Sequence, residues 1–589
     1  MTAIDDILEK IVSKKIEKKE ALKLFEELPE NEKNYMVSKL KMHLSKGDKA
    51  AGNGSSGKKG NIMKAMTELQ LEDRHRQFIE KMALEMAKTA PKSKENASMH
   101  QTHLVDQRKT GGLKKALKPL QFHLTYEKGD GAYLYDVDGN KYIDIASDNG
   151  VNLFGHQPAF IKEAIVNRLD KGYPLVGYTE ELTQVTKLFS ELTGHERVLL
   201  TQSGTEAVMW AVRIARAATQ KKKIVIFEGA FHGLSDAVLA AKDQFGNSIA
   251  MGLGMLQEFA DELIVLDYGN MDHLNVIEER ADEIAGVLVE PVQSRNPANQ
   301  PIEFLKEVRK LTLESGVLLI MDEMITGFRA CCNGVQGLWK IKGDLATYGK
   351  IPAGGMPSGM IAGPAKYMNF VDGGVFDYDD NSMPSVKKAL MAGTHTRNPI
   401  KLAATLAILT EIKKRCSASG KDACEPNACF LQDLNEKTML MCEELNSFFV
   451  MKRVPIVIEY FSSLFRFRFL DDPNGVVKEL LMILMRMNGV ETSPSGNCFL
   501  TVVHSDKDIK AIIKAIKQSA DTLLKEGFFY ESDTAEEDDA QEEVQAATPA
   551  RADKTNKPVQ EPKKDDQMEK LRDLIVSDLK NFQEKGVMI

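Results

Sequence analysis

The chain has 589 residues, of which 43% are hydrophobic and 28% charged, with a formal net charge of −8. This is an ordinary soluble composition with room for one large enzyme plus attachments, and its charge gives no general attraction to nucleic acid or to an anionic membrane. No run approaches the roughly 18 apolar residues of a membrane span, and the start MTAIDDILEKIVSKK has no apolar core before a cleavage site, so a cytoplasmic location is expected.

Residues 1–45 are dense in charge with helical periodicity, Ile4, Ile7, Leu8 and Ile11 falling on one face and Leu24, Phe25 and Leu28 continuing it. The segment 46–103 opens on the Gly/Ser/Lys stretch KGDKAAGNGSSGKKGN and predicts a flexible linker with an amphipathic helix near 65–90. The main body, 104–530, alternates short apolar runs with helical stretches, which predicts an α/β fold with a largely parallel sheet. Candidate buried strands are RVLLT (197–201), KIVIF (223–227), AGVLVE (285–290) and GVLLIMD (316–322). An acidic, disordered linker is expected over 531–564. The closing segment 565–589 carries Met568, Leu571, Leu574, Ile575 and Leu579 as an apolar helical stripe.

In parallel sheets ligands sit beyond the carboxyl ends of the strands. After RVLLT, Ser203, Gly204 and Thr205 open a helix whose first amides favour an anion, or they form a plain N-cap. After KIVIF, the turn EGAFHG presents Phe231 and His232 as a platform for a planar ring, or as core. Glu290 and Asp322 close the next two strands. Either can be a turn residue, although six apolar or glycine positions before Asp322 predict a partly buried acid in need of a partner. Lys350 is the only charge in ATYGKIPAGGMPSGMIAG (346–363), a setting that favours a neutral, nucleophilic amine. An anion cradle, an aromatic platform, a buried carboxylate and a secluded lysine are what pyridoxal 5′-phosphate requires. The seven cysteines include the neighbours Cys331 and Cys332 but no CxxC pair, so no metal site is expected.

The runs MDEMITGFR (321–329) and DLATYGKIPAGGMPSG (344–359) resemble the class III, subgroup II aminotransferases, which include glutamate-1-semialdehyde aminomutase. The similarity is greatest to aminotransferase domains of hybrid polyketide/nonribosomal-peptide synthases. LYDVDGNKYIDIASDNGVNLFGHQP (134–158), SGTEA (203–207), FEGAFHG (227–233), VEPVQSRNP (289–297), AGTHTRNP (392–399) and SSLFRFRF (462–469) extend it. The resemblance implies fold type I: a large, mostly parallel-sheet cofactor domain over about 170–400 and a smaller α+β domain from both ends, 104–169 and 401–530. It implies Lys350 as the covalent cofactor lysine, Asp322 as partner of the pyridine nitrogen, and Ser203, Gly204 and Thr205 as the phosphate cup. Phe231 beside His232 would stack on the ring, Met324 would pack on the opposite face, and Glu290 would join the cofactor site. Thr394 resembles the residue that reaches the phosphate across a homodimer interface. An amino acid donor and a carrier-bound acceptor follow, the alternatives being an aminomutase of a small amino-aldehyde or a non-catalytic scaffold in a synthase complex. The terminal helices either resemble docking elements for an acyl carrier protein or synthase modules or are loosely attached solubilising helices. Arg466 and Arg468 alternate with phenylalanines and either face solvent or bind the donor carboxylate.

Overall fold

The computed structural model describes residues 71–175, 177–417 and 429–529. The helical stretch expected at 1–45, the Gly/Ser/Lys linker and both C-terminal segments lie outside them. The chain divides into two units, Met1–Glu72 and Asp73–Ile589, and every helix and strand among the described residues lies in the second.

That unit begins with α1 (Asp73–Thr89) and α2 (Pro91–His103). The first amides of α2 have no intrahelical acceptor, and the Asp138 carboxylate takes those of Lys92 (2.8 Å) and Ser93 (3.0 Å). The end of the segment read as a linker is thereby bonded to the body. Strands β1 (Tyr126–Asp130), β2 (Tyr133–Asp136) and β3 (Lys141–Asp144) form an antiparallel meander, followed by α3 (Ala159–Asp170) and α4 (Glu180–Thr193).

The next strands are β4 (Arg197–Thr201), β5 (Lys223–Phe227), the short pair β6 (Ala240–Lys242) and β7 (Ser248–Ala250), β8 (Leu263–Leu266) and β9 (Ile284–Val289). They continue as β10 (Leu318–Asp322), β11 (Leu345–Gly349) and β12 (Gly359–Gly363). Seven of these build one sheet in the order β4-β12-β11-β10-β9-β5-β8, parallel throughout except for β12. Strands β9 to β12 are buried along their whole length, because helices cover both faces of such a sheet. Helix α5 (Gly204–Thr219) is the main cover. Ala207, Val208, Trp210, Ala211, Val212, Ile214 and Ala215 form its buried side and share one core with Ile224, Leu288, Ile320 and Ile361.

Helix α6 (Ile302–Glu314) precedes β10, and α7 (Pro399–Ser417) packs against α3 and α4. Beyond α8 (Leu431–Lys452), strands β13 (Ile456–Phe461) and β14 (Leu464–Phe469) form a hairpin, with α9 (Val476–Met487) after it. Strand β15 (Val490–Glu491) pairs in parallel with β3, and β16 (Asn497–Phe499) closes the β13-β14 sheet. Helix α10 (Asp506–Lys525) ends the unit behind a capping box at Ser505 and Asp508. Residues from both ends of the body thus share a sheet, as the expected smaller α+β domain requires.

Candidate active site

Strands β4, β5, β9, β10 and β11 release the chain at one edge of the large sheet, the side on which parallel sheets bind ligands. Asp322, the last residue of β10, is 2% exposed. His232 Nδ1 donates to Asp322 Oδ2 (2.8 Å), and Thr347 Oγ1 donates to Oδ1 (3.3 Å). His232 Nε2 is buried with no hydrogen-bond partner among the described residues. Glu290, at the end of β9, is also buried and accepts from the amides of Phe231 (2.9 Å) and Ser294 (3.3 Å). Burial raises its pKa and the nearby Asp322 adds to the rise, so Glu290 holds its proton more firmly than a free glutamate.

Lys350 follows β11 with φ 56° and ψ −105°, left-handed backbone that side-chain-bearing residues rarely adopt. Burial lowers its pKa. Asp322, Glu290 and Asp148 pull the other way, and Arg329 reinforces the fall. The amine is therefore easier to deprotonate than a free lysine and sits among the two acids that close β9 and β10.

The cup is formed by the start of α5. Ser203 Oγ caps the helix by accepting from the Glu206 amide (3.1 Å), and Thr205 Oγ1 accepts from the Leu234 amide (3.3 Å), which holds the Phe231–Gly233 turn against the cup. Met324 lies between cup and lysine strand: a Cβ on Gly204 or on Gly349 would come within 2.8 or 2.7 Å of its sulfur. Phe231 is half-exposed, with the Arg295 guanidinium 5.1 Å from its ring centroid. Thr394 is exposed and forms no side-chain hydrogen bond among the described residues, while its neighbour Gly393 abuts Gln202 beside the cup.

Three residues with no role in the sequence reading join the site. Arg329 is buried beside Lys350, donating to Gly150 O (2.5 Å) and Ser463 Oγ (2.9 Å) and stacking 4.6 Å from the Phe499 ring centroid. Asp148 lies in the left-handed run Ser147, Asp148 and Asn149 that Arg329 braces through Gly150. Arg295 lies close enough to Arg466 to lower its pKa further, after burial. The lone arginine in MITGFR, flanked by Phe328 and Ala330, was the one available signal; the other two are brought in by loop geometry. Of the alternating pair, Arg466 is half-buried and donates to Asn497 Oδ1 (2.7 Å), whereas Arg468 is exposed and paired with Glu459 (3.5 Å).

A family model described as aminotransferase class-III matches residues 116–445, more than half of the chain. The chain belongs to the class III aminotransferases. The family is pyridoxal 5′-phosphate-dependent and of fold type I, in agreement with the sheet order. A glutamate-1-semialdehyde 2,1-aminomutase of Lachnoclostridium phytofermentans is 38% identical over 293 residues, 49% of this chain and 66% of that relative. Among solved structures, an omega-transaminase from Sphaerobacter thermophilus is similar with TM-score 0.63 and 24% identity, covering 73% of this chain and 97% of that one. A beta-phenylalanine aminotransferase from Variovorax paradoxus is similar with TM-score 0.63 and 25% identity, covering 76% and 98%. No helix among the described residues is long and apolar enough to cross a membrane.

Proposed function

We propose that this chain is a pyridoxal 5′-phosphate-dependent aminotransferase that takes nitrogen from an amino acid of the glutamate or glutamine class and gives it to a carbonyl acceptor. The observation that carries this reading is the convergence of Lys350, the Asp322–His232 pair and the start of α5 at one sheet edge. The cofactor fits the residues present. The first amides of α5 suit its phosphate and Asp322 suits its ring nitrogen. Phe231 and Met324 suit the two ring faces, Glu290 fixes the turn that carries Phe231, and Lys350 suits its aldehyde. When bound, the cofactor supplies an electron sink for the substrate carbon that loses a proton.

The chain's own residues do the rest. Lys350 Nζ, desolvated and easily deprotonated, accepts that proton and returns it. His232 donates through Nδ1 to Asp322 Oδ2 and keeps that carboxylate oriented from beneath. Arg295, over the Phe231 ring, and Arg466, close enough to feel its charge, offer two guanidinium groups to a donor carboxylate. The acceptor in this reading has no carboxylate and needs no further cation: a carrier-protein-bound β-keto thioester or aldehyde in polyketide or peptide biosynthesis. The carrier or synthase module would be recruited by the terminal segments. A second reading, an aminomutase of a small amino-aldehyde, is favoured by the 38% identity to the aminomutase relative.

The test is the visible absorbance of the cofactor-loaded chain. Glutamate or glutamine should bleach it without acceptor, and a carrier-bound β-keto thioester should restore it. Arg466→Met should raise the donor KM by about tenfold, the loss of a hydrogen bond to a charged group, with a smaller change in kcat. A band indifferent to every amino acid donor, in a chain that rearranges an amino-aldehyde, would establish the second reading instead.

A further inference from the structure

Three of the seven cysteines come together away from the catalytic edge, from three separate elements, and a fourth is the chain neighbour of one of them. Cys331 and Cys332 follow Arg329 and Ala330 in the loop after β10, Cys416 ends α7, and Cys429 lies two residues before α8. All four are buried. The sulfurs of Cys332, Cys416 and Cys429 lie within 4.8 Å of one another. Those of Cys332 and Cys416 are in bonding contact with their Cα atoms 7.1 Å apart, and Cys429 Sγ lies 2.9 Å from Cys332 Sγ. Cys331 is buried next to Cys332 in the chain, outside that group of three sulfurs.

A disulfide accounts for two of these three sulfurs and leaves that of Cys429 unexplained. Its usual Cα separation also ends at about 6.8 Å, below the value here. A metal ion gathers three or four. Thiolates bound to zinc at about 2.3 Å lie about 3.8 Å apart, so the Cys332 sulfur has to draw back from Cys416 and from Cys429, 2.9 Å away, to admit an ion.

We propose that, in the reduced chain, Cys332, Cys416 and Cys429, with Cys331 as fourth sulfur donor, bind one thiophilic divalent metal ion, zinc by its ligand chemistry. Each thiol gives up its proton as its sulfur–metal bond forms, the ion loses its waters, and nothing is oxidised or reduced. The ion would be structural. It ties the loop after β10 to α7 and α8, and so fixes Arg329, whose guanidinium braces Gly150 and Ser463 next to Lys350. The expectation of no metal site rested on the lack of a CxxC pair, a test that cannot see ligands delivered by separate elements.

The experiment measures metal in the full, tag-free chain purified with reductant and without chelator, by elemental mass spectrometry. One zinc per chain is expected, falling below about a tenth in Cys332→Ser and in Cys429→Ser. Cys442→Ser, buried but outside the cluster, should keep it. If the serine variants do not fold, a mercurial titration of the native chain replaces them, with zinc release expected in step with the modified thiols. Cobalt(II) offered in place of zinc should give thiolate-to-metal charge-transfer absorption. A metal-free chain that yields a Cys332–Cys416 disulfide peptide, iron with acid-labile sulfide, or zinc retained in either serine variant overturns the proposal.

Discussion

Lys350 bears two costs that only the bound cofactor makes useful: a left-handed backbone and an amine deprived of water. Its pKa is lowered in the folded chain, so between the folded and the ordinary lysine value the unfolded chain binds more protons. Stability therefore rises with pH across that window, and the cost is fully present below it. Two substitutions separate the costs in the cofactor-free chain. Lys350→Met removes the buried charge and should stabilise the fold by about 1 kcal/mol at neutral pH. Lys350→Gly should add about 1 kcal/mol or more by relieving the backbone. Both should abolish turnover. Equal denaturation midpoints for the two variants would show that the φ of 56° stores no strain. Borohydride trapping of added cofactor on the native chain should also speed up with pH through a midpoint below the lysine value of about 10.4.

At the scale of elements, the site is set by how closely β11 and the start of α5 approach each other. The absent side chains of Gly204 and Gly349 make room for the Met324 sulfur between them. Gly349→Ala should force Met324 out of this slot, costing about 1–3 kcal/mol of stability and weakening cofactor binding. The double variant Gly349→Ala/Met324→Ala should recover most of the loss. Failure to recover, measured by cofactor titration, would mean that the Ser358 carbonyl near that Cβ, and not Met324, sets the limit. The four apolar runs RVLLT, KIVIF, AGVLVE and GVLLIMD were legible because strands buried on both faces must be continuously apolar, and they became β4, β5, β9 and β10. LATYG and GMIAG were not, since glycine and alanine carry no strand signature and their places depend on what packs against them. Asp322 was legible for the same reason as its strand. Arg295, Asp148 and the cysteine cluster were not, because they owe their positions to loops meeting across the fold.

At the scale of the molecule, large apolar side chains stand exposed, one of them beside the cup. Leu234 is 71% exposed, Leu253 fully so, Tyr378 90% and Leu390 84%, and the Leu234 amide bonds directly to Thr205. Exposed apolar side chains mark a protein interface where they are contiguous. A homodimer is expected in solution, which light scattering measures as twice the chain mass of 65.5 kDa. The expected role of Thr394 adds a sharper test, since a residue that acts across the interface can be supplied by the other chain. Lys350→Ala and Thr394→Glu should each be inactive alone, the latter because its carboxylate would repel the cofactor phosphate. In a mixed dimer, the site with an intact Lys350 receives an intact Thr394 from the Lys350→Ala chain, and the other site carries both lesions. Co-expressed, differently tagged chains should therefore regain about half the native activity per dimer, one site of two, while a Thr394 that served its own chain would leave both sites dead.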